Sequence, residues 1–199
     1  MRGIRYGLIL LAGLGLPATA QTNQVEAPAE AATAALSPAQ KRADELDALF
    51  ARLHQSDSDE AARALEKRIW ALWTISDSPT AEALLQQATK AMNDGAPKES
   101  LSILNRLVGT YPNFPEAWNR RATLYYLMKR DTEALLDIQR VLDLEPRHFA
   151  ALAGRGLIYQ RQKKFTAARK AFEEALKLNP GLEAVKDAIK ELERQERDI

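Results

Sequence analysis

Residues 115–148 read PEAWNRRATLYYLMKRDTEALLDIQRVLDLEPRH, and this stretch decides the fold. Trp118, Ala122 and Tyr125 stand at i, i+4 and i+7, on one face of a helix. Leu135, Ile138, Val141 and Leu142 mark a second such face. The spacing predicts helices over 116–128 and 132–144. Lys129, Arg130 and Asp131 link them, too short a link for anything but an antiparallel pair. Pro146 stops the second helix, because proline lacks an amide hydrogen and disfavours helical geometry at Glu145.

The pattern repeats on both sides. Prolines fall at 112, 146 and 180, two steps of 34 residues. Window 149–182 carries Leu152, Gly156, Tyr159, Ala168, Phe172, Ala175 and Pro180 where 115–148 has Trp118, Ala122, Tyr125, Ala134, Ile138, Val141 and Pro146. Window 81–114 carries Leu84, Ala88, Ala91, Ser100, Leu104, Leu107 and Pro112 at the same offsets. A fixed period of this length marks stacked helical units. Over 81–182, about half the chain, the pattern resembles the tetratricopeptide repeat (TPR) family. The resemblance implies an all-α fold, a right-handed α-solenoid of antiparallel helix pairs. The expected organisation is three repeats (81–114, 115–148 and 149–182) within 78–182. A helical hairpin at 37–77 precedes them and a capping helix at 183–199 follows.

The flanks read as helices on their own residues. Ser37-Pro38-Ala39-Gln40 has the form of a capping box with proline at the first helical position. Leu46, Leu49, Phe50 and Leu53 then make an apolar stripe. Asp57 and Glu60 are expected to open a second helix carrying Leu65, Ile69, Leu72 and Trp73. We expect this hairpin to cover the open end of the stack. Past Pro180, Val185, Ile189 and Leu192 face one way and a charged surface the other, as a solvated end of a stack requires.

The first twenty residues read as an address. Arg2 and Arg5 precede the uncharged run Tyr6–Leu16, and Ala18-Thr19-Ala20 supplies a small-residue cleavage pattern. This is the layout of a signal peptide cleaved after Ala20, and it predicts a periplasmic protein. The eleven-residue apolar run reaches only about 16 Å as a helix, half of a hydrocarbon core. Without a cysteine the leader cannot carry a lipid. Residues 21–36, rich in Ala, Pro, Thr and Glu, read as a flexible disordered linker. No stable membrane insertion is expected after cleavage.

Composition narrows the chemistry. The chain has 199 residues and a formal net charge of +1, which argues against gripping nucleic acid by bulk electrostatics. It has no cysteine and two histidines, so thiolate metal sites are excluded and a histidine-based catalytic group has little material. His54 reads as a favourable charge at a helix C-terminus, and His148 lacks a nearby second ligand. We expect no catalytic residue, no metal, no cofactor and no enzymatic activity.

The resemblance implies more. In TPR domains the first helix of each pair lines a concave groove that binds peptides or helices of other proteins. The matching positions nominate Leu85, Thr89, Asn119, Arg120, Thr123, Tyr126, Leu157 and Gln160. A subclass grips a C-terminal carboxylate with Lys and Asn at positions five and nine of its first repeat. Leu85 and Thr89 stand there, so that mode is not expected. Arg121 and Arg155 occupy a position that is commonly leucine, and would make a basic stripe for an acidic partner or simply pack by their stems. The expected function is a periplasmic adaptor or scaffold that binds a protein or peptide partner of the envelope. The alternative is an accessory or self-associating subunit of an envelope assembly, with the apolar residues of the N-terminal hairpin as the contact.

Overall fold

The computed structural model describes residues 36–56 and 58–197; the leader (1–20), all but the last residue of the spacer read at 21–36, the helix-opening Asp57 and the last two residues of the capping helix read at 183–199 lie outside them. Among the described residues every regular element is a helix. These are α1 (Pro38–His54), α2 (Asp59–Trp73), α3 (Pro79–Asn93), α4 (Pro97–Thr110), α5 (Pro115–Leu127), α6 (Asp131–Leu144), α7 (Phe149–Arg161), α8 (Phe165–Leu178) and α9 (Glu183–Arg197). α3–α4, α5–α6 and α7–α8 form three successive antiparallel pairs, each packed on the next.

Local chemistry sets the boundaries. Ser37, Ser58 and Ser78 cap α1, α2 and α3 by accepting the amides of Gln40, Ala61 and Ala81. The cap of α2 is therefore Ser58. Each first helix of a pair ends in the same motif. The amide of Ala96 donates to the Ala91 carbonyl and that of Gly95 to Met92. Arg130 to Tyr125 with Lys129 to Tyr126, and Lys164 to Tyr159 with Lys163 to Gln160, repeat it. This closure needs one left-handed residue. It is Gly95, Lys129 and Lys163, at φ of 76°, 59° and 58° and 34 residues apart.

Small residues let the paired helices approach. Ala88, Ala122 and Gly156 are buried on the first helices, and Ser100, Ala134 and Ala168 on the second. Ser100 keeps its hydroxyl satisfied by donating to the Ala88 carbonyl at 2.8 Å. Beyond sequence neighbours, contacts run α3–α5, α5–α7 and α7–α9, so the first helices line the inside of the curve. α9 closes the far end by laying Val185 and Leu192 over Phe172 and Ala168 of α8.

The N-terminal hairpin does not cover the open end of the stack. The outer face of α3 is already wettable, with Ala83, Gln87 and Lys90 exposed, and needs no cover. α1 and α2 lie instead across the turns that join one repeat to the next. Leu46, Leu49, Phe50, Leu53, Leu65, Ile69, Leu72 and Trp73 are buried in one cluster with Phe149, against Ala150, Leu178 and Leu182. The exposed apolar contact expected for self-association is thus already used within the chain.

Candidate functional site

The inner face divides into two parts. Toward the C-terminal ends of α5 and α7 it is open. Thr123, Leu127 and Leu157 are exposed there, Leu127 by 61% and Leu157 by 37%. Tyr126 and Gln160 are half-buried. Arg161 spans the two helices, donating from Nη1 to the Tyr126 carbonyl at 3.1 Å, pairing with Asp131, and lying 4.0 Å over the Tyr126 ring. Toward α3, Leu85, Thr89 and Arg120 line an open cavity of about 520 Å³ together with Thr74 and Ile75. Leu85 is also a core residue, packed with Ala81, Leu84 and Ala88. The Thr89 hydroxyl donates to the Leu85 carbonyl at 2.8 Å.

Asn119 is buried. Nδ2 donates to Oε2 of Glu116 at 2.9 Å, which commits one of its two amide hydrogens within the chain. Glu116 has no exposed surface. Its other partners are Arg120 Nη2 on Oε1 at 2.6 Å and His148 Nε2 on Oε2 at 3.3 Å. The Nδ1 of His148 accepts the Ala151 amide at 3.2 Å, which caps α7 and places the proton on Nε2. A buried carboxylate is tolerated when donors surround it. Glu116 sits three and four residues before Asn119 and Arg120, a helical spacing that the sequence displays but whose burial it does not.

The His148 ring carries the network to the hairpin. It stacks on Trp73 with centroids 4.1 Å apart and planes 11° from parallel. Trp70 meets it edge-on at 5.8 Å, and Trp73 also packs on Phe149 at 4.9 Å. At the rim, Arg147 Nη1 reaches Asp47 at 2.5 Å and its Nε holds Glu145 at 3.0 Å. Burial pulls the Arg147 pKa down, but these two carboxylates outweigh it and leave it raised. His54, at the end of α1, faces two carbonyls, Phe50 through Nδ1 at 3.0 Å and Lys177 through Nε2 at 2.6 Å.

Arg121 and Arg155 do not form a basic stripe. Arg121 makes a two-point pair with Asp137, both contacts at 2.8 Å, and also donates to Asn105 at 2.9 Å. Its guanidinium lies 4.9 Å over Trp118. Arg155 Nη2 meets Glu174 at 2.5 Å. Both charges are matched inside the chain. Among the described residues no group of three or more metal-ligating side chains occurs, and no helix is long and apolar enough to cross a membrane.

The arrangement has known counterparts. The tetratricopeptide repeat family model matches residues 149–182. A TPR repeat-containing protein of Rhizobium etli is 34% identical over 164 residues, covering 82% of this chain and 78% of that protein. DnaJ homolog subfamily C member 3 of Rattus norvegicus is 31% identical over 111 residues, 56% of this chain but 22% of its own length. Among solved structures, MamA superposes with a TM-score of 0.56 at 21% identity, over 81% of this chain and 85% of that one. The first TPR of Spaghetti (RPAP3), bound to the HSP90 peptide SRMEEVD, superposes with a TM-score of 0.57 at 22% identity, over 60% of this chain and 94% of that one. The helix pairs, their 34-residue period and the Rhizobium relative together place the chain in the tetratricopeptide repeat family.

Proposed function

We propose that this protein is an exported adaptor that holds a peptide or helix of an envelope protein against its inner face. The observation that carries the reading is the open part of that face, where Thr123, Leu127 and Leu157 are presented on a rigid helical support. Exposed apolar side chains set among neutral polar ones suit a partner that is anchored by a few buried contacts. The matched charges of Arg121, Arg155 and Arg161 speak against an acidic ligand held by bulk attraction. The RPAP3 domain named above binds a peptide, which supports the ligand class. Leu85 and Thr89 stand where the carboxylate-gripping subclass has Lys and Asn, so the partner we propose is recognised along its length and not by its C-terminus. Repeats of this family generally serve as protein-interaction modules and not as catalysts, and we propose the same here.

Export rests on Arg2, Arg5, Tyr6–Leu16 and Ala18-Thr19-Ala20. Fractionation of expressing cells, with the mass of the recovered protein, tests it: we expect periplasmic protein that starts at Gln21. The binding reading is tested with a photoreactive residue at Thr123, irradiated in cells. A discrete adduct with one envelope protein, lost when Leu157→Glu is added, is the expected outcome. No adduct, or an adduct indifferent to Leu157→Glu, sinks the reading.

A further inference from the structure

The hairpin α1–α2 behaves as a ligand more than as a repeat. It follows no 34-residue pattern and does not pack along α3, the helix it leads into. Its contacts are with turns about a hundred residues away. Phe50, Trp70 and Trp73 surround Phe149 at centroid distances of 6.3, 6.0 and 4.9 Å. Polar tethers rim this apolar centre: Asp47 to Arg147, Glu66 to Asn179 Nδ2 at 3.0 Å, and His54 to the Lys177 carbonyl. Asp47 is 71% exposed on its side chain, and a pair so wet adds little to the hold.

The fit is also incomplete. Trp73 Nε1 is buried with no acceptor, and an unmatched buried donor in the contact weakens the docked state. Two solvent-open recesses border the hairpin as well. One is the cavity under Thr74 and Ile75, and the other, about 540 Å³, lies between Leu46, Trp73 and the turn at Tyr111–Phe114. A link of five residues, Thr74–Ser78, joins the hairpin to the stack.

We propose that the hairpin is a releasable occupant of this edge. The surface it covers, centred on His148 and Phe149, is a docking site for an amphipathic helix that presents two aromatic rings one turn apart, and hairpin and partner compete for it. The pattern required of the partner is the one α2 displays: Trp70 and Trp73 on one face, with Glu66 a further turn back to meet Asn179. A hairpin shorter than about 40 residues does not hold its fold alone, so undocking melts it and exposes its amides. The inference rests on the adaptor reading, since it names a second site and a gate for a partner-binding protein.

The chain supplies its own lock. A Cβ built on Gly181 would stand 3.8 Å from the Ala62 Cβ, the mean separation across a disulfide, and there is no native cysteine to interfere. Ala62→Cys with Gly181→Cys in the full chain should close as an intrachain disulfide. Hydrogen exchange is then followed by mass spectrometry. In the reduced protein we expect α1–α2 to exchange at least tenfold faster than α5–α8, and oxidation to abolish the difference. A labelled peptide of residues 59–73 should bind the reduced form at least tenfold more tightly than the oxidised one. Exchange of α1–α2 in step with α5–α8 in the reduced protein, or equal peptide affinity for the two forms, would each overturn the proposal. The exchange readout needs no partner and the cross-link at Thr123 does not involve the hairpin, so the two readings fail separately.

Discussion

Glu116 illustrates how much one side chain can organise. Three donors converge on a carboxylate with no exposed surface, and through His148 the same group reaches the indole of Trp73. Glu116→Gln keeps the shape and removes the charge, leaving Arg120 without its counter-ion. Removing one member of a fully buried pair costs about 3–5 kcal/mol. Arg120 keeps a quarter of its side-chain surface in water, so we expect a loss of about 2 kcal/mol in urea unfolding. Glu116→Gln with Arg120→Gln should cost less than the two single changes together, by about 0.5–3 kcal/mol. The sequence shows Glu116 at the start of a helix, where an acid is unremarkable. Its burial comes with a neighbour distant in sequence, His148, itself stacked on Trp73, which no local pattern announces. Asn119 was legible as an inner-face residue for the same reason that its occupation was not: spacing gives the face, and only the fold gives the neighbour.

The helix pairs were the most legible part, because one period writes the same environment three times. The left-handed closure after each first helix shows where the copies diverge. Gly95 takes this geometry without steric cost, whereas Lys129 and Lys163 carry a Cβ into it. A left-handed residue costs about 1–2 kcal/mol, and glycine returns about 0.5–1 kcal/mol of that as backbone entropy. Lys129→Gly and Lys163→Gly should therefore each stabilise the protein by about 0.5–1 kcal/mol, raising the melting temperature by about 1–4 °C. Gly156 behaves in the opposite sense. A Cβ there would stand 2.4 Å from two ring carbons of the fully buried Phe172. Gly156→Ala should cost about 1–3 kcal/mol by forcing the pair apart, even though alanine favours the helix, and Phe172→Leu in the same chain should recover part of it. Thermal melts of Gly156→Ala and of the double variant distinguish a collision from a change in helix propensity.

At the level of the whole molecule the packing and the candidate binding surface separate cleanly. Leu157 is exposed, so Leu157→Glu should leave unfolding within about 0.5 kcal/mol of the parent while removing the cross-link at Thr123. A variant that melted early would show instead that the residue belongs to the core. The place of the hairpin was the least legible feature. Its stripe announces a buried face, but a stripe does not say which surface will bury it, and the polar outer side of α3 was the overlooked clue. A ladder of helix pairs built from neighbouring contacts folds quickly, since little chain must be brought together before each contact forms. Here Asp47 meets Arg147 across 100 residues, Glu66 meets Asn179 across 113, and His54 meets Lys177 across 123. These closures cannot begin until the third pair exists. The hairpin is therefore expected to find its place only after the last helix pair has formed, although it precedes that pair in the chain.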